Sequence, residues 1–405
     1  MRVAEKLQVY YRGCLQFCNY ACSYCPFCKK TKSENNLMRD KEQLMRFVDR
    51  MEQLSFSGAV QIIPYGEGMI HDYYWDALAK LSRLPGVDRV GIQSNFSFSV
   101  DGFVTRLQRE QAKLEKICLW GTFHPEQTTV SAFQSQCHRL QKAGIRFSVG
   151  VVGDPGQMET IQELRDAIPK ESYMWINALE GAGRPYSQEE KEEFRKIDPF
   201  FEQELRRLPA DVEDCGGTYF VRGDGRMYAC PISQVVIGDF YQIQTMEELY
   251  EMEKKRTCRS RFCHCHLAYN NRKKESNQMF GSYPAFRIPF LPKAIFLDID
   301  GVLVKAGERR ISQKTEETLR SLSVHFPLYL ATSRPLKEAV KVLGTAMHDI
   351  KGGAFSCGAQ LLLWQQQLEK KDREIYFEKI YELREDSFLQ WLQERCEEKK
   401  TDSVK

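Results

Sequence analysis

Short apolar runs alternate with amphipathic stretches six times in the first half of this chain, and that alternation limits the fold more than any other feature. Strands are expected at Leu7 to Tyr11, Ala59 to Ile63, Arg89 to Gln93, Lys116 to Thr122, Arg146 to Val152 and Tyr173 to Asn177. Between the first two, Leu44, Phe47, Val48 and Met51 recur at the i, i+3, i+4, i+7 spacing of one helix face. Helical patterns follow over Phe103 to Leu114, Val130 to Ala143 and Met158 to Ile168, and over Tyr74 to Leu84. Such a chain is α/β: its strands run parallel, joined by right-handed crossovers, and its functional loops gather at the strands' C-terminal ends.

The loop after the first strand carries Cys18-Asn19-Tyr20-Ala21-Cys22-Ser23-Tyr24-Cys25. Three thiolates on one short loop can hold three corners of a 4Fe-4S cubane and leave the fourth iron open. A structural zinc knuckle also uses closely spaced cysteines, and Cys14 or Cys28 would supply its fourth ligand. Zinc sites more often pair Cys-x2-Cys units than use this asymmetric triplet.

The triplet, with Tyr24 before its last cysteine, resembles the signature of the radical S-adenosylmethionine superfamily, here an uncharacterised subfamily with a Tyr-Arg-Gly-x4-Cys-Asn-Tyr-Ala-Cys opening. The resemblance covers roughly the first 200 residues. It implies a partial (β/α)6 TIM-like barrel over residues 1–200, with Cys18, Cys22 and Cys25 as metal ligands. It also implies a catalytic 4Fe-4S cluster whose open iron chelates S-adenosylmethionine (AdoMet), which an electron cleaves to a 5'-deoxyadenosyl radical. An electron donor of flavodoxin or ferredoxin type is implied with it. Pro64-Tyr65-Gly66-Glu67-Gly68 is similar to the family's Gly-Gly-Glu turn, with Tyr65 in place of the first glycine, so Gly66 and Glu67 are expected at the cofactor. There, glycine would let the chain approach the ligand closely. Ser94 and Asn95 resemble the ribose-binding strand end, and Val149, Val151 and Gly153 the strand that packs on adenine. Tyr24 and Val151 join the expected cofactor-binding set. His124 receives no role, since a lone histidine is more often structural.

Cys215 and Cys230 flank two short strands, Thr218 to Val221 and Met227 to Ala229, around a glycine turn, and Cys258, Cys263 and Cys265 follow. The Cys-x9-Gly-x4-Cys element resembles the auxiliary-cluster domains called SPASM and twitch. It implies an auxiliary 4Fe-4S cluster in a cysteine-rich domain over residues 201–283, held by some of these five cysteines. Zinc competes for the same thiols, with His264 and His266 interleaved. Chains with this addition usually act on peptides or other sizeable substrates, so the resemblance implies a peptide substrate, with a small carbohydrate-like or nucleotide substrate as the alternative.

Pro284, Pro289 and Pro292 punctuate a stretch that suits a linker, and a further domain is expected over residues 284–405. There an apolar strand, Ala294 to Leu297, leads into Asp298-Ile299-Asp300-Gly301, which resembles the first motif of the haloacid dehalogenase superfamily. A strand over Pro327 to Ala331 ends in Thr332-Ser333-Arg334, similar to the second motif. The resemblance implies Asp298 as nucleophile, Asp300 as proton shuttle, Thr332 as phosphate ligand, and Mg2+. No paired acidic motif follows, and Asp372 to Leu392 reads as a charged helical tail, so the segment is an incomplete dehalogenase-like (Rossmannoid) α/β unit. A protein partner that completes it, or a docking role without catalysis, is favoured over an independent phosphatase.

With 58 basic and 55 acidic residues in 405, the net charge of +3 gives no field that would argue for nucleic acid or an anionic membrane. Met1 to Gly13 lacks the apolar core of a signal peptide, and Ala294 to Val304 is too short and too interrupted to span a bilayer. A cytoplasmic, reducing location is expected, which suits fourteen cysteines that include cluster ligands.

Overall fold

The computed structural model describes residues 7–25, 27, 31–54, 56–179, 184–205, 208–209, 217–254, 262–263, 279–289, 294–305, 308–363 and 381–382. The chain divides into two compact units, Met1–Phe290 and Leu291–Lys405.

In the first unit the expected alternation becomes six parallel strands in sequential order. They are β1 (Leu7–Arg12), β2 (Gly58–Ile62), β3 (Val87–Ser94), β4 (Ile117–Thr122), β5 (Arg146–Gly153) and β6 (Met174–Ala178). The crossovers contain α1 (Glu34–Gln53), α2 (Asp72–Arg83), α3 (Val100–Arg109), α4 (Val130–Lys142) and α5 (Met158–Ala167). Side-chain caps start three of these helices: Ser33, Ser99 and Thr129 accept from the backbone N–H three residues on, satisfying donors that the helix itself leaves open. Apolar faces then bury against the sheet, as Leu44, Phe47, Val48 and Met51 of α1 do beside Val9, Tyr11, Val60 and Ile62. Beyond β6 follow α6 (Gln188–Ile197), opened by a capping box between Ser187 and Glu190, and α7 (Phe201–Leu205).

The hairpin read from the Cys215 to Cys230 region is present, but it joins the barrel sheet. After the two-residue β7 (Leu208–Pro209), β8 (Thr218–Arg222) pairs parallel with β1, and β9 (Arg226–Tyr228) and β10 (Val236–Asp239) extend the sheet antiparallel from it. The sheet therefore has nine strands in the order β10-β9-β8-β1-β2-β3-β4-β5-β6. The helix α8 (Met246–Lys254) follows, and β11 (Phe262–Cys263) returns to pair with β7.

The stretch read as a linker does something else. Residues 279–289 lie among the side chains that point away from the helices. Phe280 and Ala285 bury with Tyr10, Trp120, Trp175 and Phe220, while Phe286 and Ile288 bury with Ala59 and Cys118. Ser148 Oγ donates to the Phe286 carbonyl at 3.0 Å, and Tyr283 OH donates to Asp88 at 2.6 Å. A Cβ on Gly91 would come within 2.6 Å of the Phe286 ring, so this strand position needs its glycine. The prolines correctly marked irregular backbone, but burial of the aromatics between them turns the segment into a plug for the barrel interior.

In the second unit β12 (Ile295–Leu297), β13 (Leu328–Ala331) and β14 (Ile350–Phe355) are parallel, and β15 (Gln360–Leu363) and β16 (Tyr381–Glu382) add antiparallel. Its core gathers Ile299, Leu328, Leu330, Met347 and Phe355 around two helices, Gln313–His325 and Leu336–Leu343. Tyr381–Glu382 falls inside the expected helical tail and is a strand instead, because its backbone groups pair with Gln360 and Leu361. The rest of that tail lies outside the described residues. Among the described residues no helix is long and apolar enough to cross a membrane.

Candidate functional site

The cysteine loop leaves the C-terminal end of β1 and is held from four directions. Helix α1 takes its first part: Asn36 Nδ2 donates to the Cys14 carbonyl at 2.8 Å, and Leu15 N donates to Asp40 at 2.7 Å. The hydroxyls of Tyr73 and Tyr74 each donate to the other oxygen of Asp40 at 2.9 Å. Burial raises the pKa of Asp40, and these donors pull it back down. Cys14 itself turns its sulfur toward the Asn36 carbonyl.

The turn after β2 takes the middle. Glu67 N donates to the Phe17 carbonyl at 3.0 Å, and a Cβ on Gly66 would lie 1.9 Å from that same oxygen. The close approach that requires glycine here is to the cysteine loop's own backbone. The Glu67 carboxylate accepts from Met69 N, Ser94 Oγ and Asn95 N at 2.9, 2.8 and 2.6 Å, tying the ends of β2 and β3 together. Burial pushes its pKa up to about 7 against those three donors.

The end of β3 reaches the first ligand position. Asn95 Nδ2 donates to Asn19 Oδ1 at 3.1 Å and stands 3.9 Å from Cys18 Sγ, to which Tyr20 N also donates at 3.4 Å. The segment after β4 clamps the rest. Ala21 N donates to Gln127 Oε1 at 3.1 Å, and Ser23 gives its N–H and hydroxyl to the two oxygens of Glu126 at 2.7 and 2.5 Å. Tyr24 OH bonds His124 Nδ1 at 2.8 Å, with the rings stacked. Burial lowers the His124 pKa to about 4, so its ring is neutral at pH 7.

These braces leave a cavity of about 120 Å3 at the strand ends. Cys18, Cys22 and Cys25 line one side with Tyr20; Tyr65, Gly66 and Glu67, then Gln93, Ser94 and Asn95, line the next; Thr122 and His124 close it. Burial first, and then the neighbouring Cys25 and Cys18, push the Cys22 thiol up to about 11. Burial raises the Cys18 thiol as well, and thiols brought together in this way suit a cation that would replace their protons. Among the described residues no group of three His, Cys, Asp or Glu side chains is arranged to hold one metal ion. A 4Fe-4S cluster places its cysteines on separate irons, so it asks these sulfurs to share a cavity rather than one ion's coordination sphere. On that ground the donor set fits such a cluster.

Not every expected residue reaches the cavity. Val151 is buried in the helix-side core beside Val149, because its neighbour Gly150 takes the opposite, interior face of β5. Tyr24 packs on His124, and Tyr20 lines the cavity in its place. Gln93 and Thr122 were missed as lining residues, and His124, which was given no role, lines the cavity too; their position at strand C-terminal ends was the available signal. Cys230 is half-buried just past β9, Cys263 contributes backbone to β11, and Cys215, Cys258 and Cys265 lie outside the described residues.

In the second unit Asp298 and Asp300 follow β12, and Thr332 follows β13. Asp298 Oδ1 accepts from Ile299 N at 2.7 Å, and Thr332 Oγ1 accepts from Arg334 N at 3.2 Å. The Arg334 guanidinium grips both oxygens of Asp300, at 2.8 and 2.5 Å, and its hydrogen bonds hold that carboxyl below the usual range. Of the two motif carboxylates, Asp298 is then left for Mg2+, which keeps several waters and binds through one or two carboxylates with a substrate phosphate.

Fold and site together define an α/β protein with a cysteine-lined cavity at the ends of its parallel strands, followed by a second α/β unit. The family model for haloacid dehalogenase-like hydrolases matches residues 295–392, so the second unit is similar to that family. No curated protein matches the sequence. Among solved structures, anSMEcpe with bound AdoMet is 14% identical, with 62% of this chain and 82% of that one covered and a TM-score of 0.44. Streptococcus suis SuiB is 11% identical over 60% of this chain and 65% of that one, with a TM-score of 0.41. BtrN in complex with AdoMet and 2-DOIA is 13% identical over 61% and 84%, with a TM-score of 0.32. Scores and identities this low leave them as likenesses.

Proposed function

We propose that the chain is a radical AdoMet enzyme, with Cys18, Cys22 and Cys25 holding a 4Fe-4S cluster in the strand-end cavity. The supporting observation is that the three cysteines face the ends of β2, β3 and β4 across one cavity and are braced there by residues from every neighbouring loop. When bound, such a cluster would supply the one-electron reducing power that cleaves the sulfonium of AdoMet for hydrogen abstraction from a substrate.

The chain's own residues do the placing. Glu67 spends its carboxylate on Met69, Ser94 and Asn95, so its role is to shape the turn. Asn95 and Tyr20 aim donors at Cys18 Sγ, which stabilises a thiolate there. Gln93, Thr122 and neutral His124 present uncharged polar groups to whatever shares the cavity. A peptide-sized substrate, an electron donor of flavodoxin or ferredoxin type, an auxiliary cluster on the later cysteines and a cytoplasmic setting complete the proposal.

Anaerobic reconstitution followed by iron and sulfide analysis tests it. Four irons per chain at Cys18, Cys22 and Cys25, in addition to any held by the later cysteines, are expected, and Cys22→Ala should lose those four together with reductive AdoMet cleavage. A colourless protein saturated with zinc would defeat the reading.

For the second unit, the match at residues 295–392 favours a dehalogenase-like phosphohydrolase. The grip of Arg334 on Asp300 supports a docking unit, or one completed by a partner. A Mg2+-dependent phosphatase assay on the whole chain separates the two.

A further inference from the structure

His124 borders the cysteine-lined cavity and is gripped by two tyrosines of the cysteine loop. Its ring stacks on Tyr24, with centroids 5.9 Å apart, and meets Tyr20 edge-on at 6.0 Å. Packing alone would ask only for an aromatic ring at each position. The polar contacts add a direction. Tyr24 OH and His124 Nδ1 are 2.8 Å apart, and the Tyr24 side chain also hydrogen-bonds the side chain of Cys22. One phenol oxygen thus joins an imidazole nitrogen to the middle one of the three cavity cysteines.

Counting protons decides which group donates. Burial first, and then the charges of Cys22 and Glu126, keep the Tyr24 hydroxyl protonated. Neutral His124 carries one ring proton. A metal-bound sulfur carries none and can only accept. Both contacts are therefore filled only when Nδ1–H donates to the Tyr24 oxygen and the hydroxyl donates to Cys22. The opposite tautomer would spend the Tyr24 proton on His124 and leave Cys22 without it. Glu126, the charged group whose field His124 feels, already accepts from Ser23 N and Oγ.

We propose that His124 is a positioning residue of the metal centre: its Nδ1–H holds the Tyr24 oxygen so that the Tyr24 hydroxyl donates to the Cys22 sulfur. This rests on the reading of Cys18, Cys22 and Cys25 as cluster ligands. A donor at a ligand sulfur stabilises the more electron-rich state of an iron–sulfur centre, so the pair makes the cluster easier to reduce and slower to lose its iron.

Redox titration of the reconstituted whole chain tests it, read on the paramagnetic resonance signal that Cys22→Ala removes. Tyr24→Phe keeps the ring and deletes the donor, and it should move the midpoint to more negative potential. His124→Phe should move it the same way, and His124→Gln, which restores an N–H, should recover part of the shift. In both phenylalanine variants a chelator should strip that cluster's iron about tenfold faster. His138→Phe, at an exposed position of α4, should change neither reading. A midpoint unmoved in Tyr24→Phe with iron content intact would overturn the proposal. So would equal midpoints in His124→Phe and His124→Gln, since the ring would then only fill space. Should the His124 variants fail to fold, Tyr24→Phe decides, because it keeps the packed ring. Nitrogen NMR of the metal-free chain reports the bond without the cluster: Tyr24→Phe should shift the His124 Nδ1 resonance, and an unshifted resonance would overturn the contact. Absence of iron in the parent after reconstitution would sink the cluster reading while leaving that resonance readable.

Discussion

Both units set their chemical residues at the C-terminal ends of parallel strands, yet only the first surrounds them with supports. The cysteine loop is tied to α1 and to the ends of β2, β3 and β4 before any ligand arrives. The acidic motif after β12 has one parallel neighbour among the described residues, β13, and its second aspartate is taken by an arginine of that neighbour's loop. The contrast teaches that a motif's residues become a site only when enough neighbouring strands exist to brace and complete them.

The largest effect should follow Glu67→Ala, which strands three buried donors at the junction of β2 and β3. A loss of about 3 kcal/mol in the first unit is expected by chemical denaturation, because each unmet buried donor is costly. Its pH dependence has a definite sign. The folded pKa, about 7, lies above the usual 4.5, so the stability Glu67 lends is full below pH 4.5 and falls as pH rises toward 7. Glu67→Gln should flatten that decline, and an unaltered pH profile would show that the carboxylate is not buried as described.

Next comes Gly66→Ala, whose added carbon would strike the Phe17 carbonyl. A cost of about 2 kcal/mol is expected from the forced shift. Because the shift falls on the cysteine loop, iron retention should drop with melting temperature; normal iron content would break the link between turn and loop. Glu126→Gln is a milder cut, since Glu126 is exposed and its hydrogen bonds among the described residues go to Ser23. Melting should barely move while iron affinity falls about tenfold, as expected of a group that orients ligands from behind. The smallest effect is expected for Arg334→Ala in the second unit, where an exposed ion pair contributes little to folding. Its melting curve should overlay the parent's, and neither protein should hydrolyse p-nitrophenyl phosphate with Mg2+. Robust turnover by the parent would erase the contrast between the units.

Periodicity carried the barrel's strands within a residue or two, because an apolar run between two amphipathic helices has few other ways to bury itself. It was silent on which face each strand turns inward, and Val151 fell on the helix side for that reason. Proline punctuation announced irregular chain at 279–289 but not its burial, which depends on Trp120, Trp175 and Gly91, all more than a hundred residues earlier. Likewise nothing local pairs Glu126 with Ser23 or His124 with Tyr24.

What the order of residues determined alone was the α/β alternation, the cysteine spacing and the acidic pair at Asp298 and Asp300, since each lies within a few residues of chain. Which of these became a braced cavity, which was closed by a neighbouring arginine, and which histidine meets the loop's tyrosines were decided by folding. Those outcomes are contacts between strand ends far apart in sequence, and only packing of the sheet brings them within hydrogen-bonding distance.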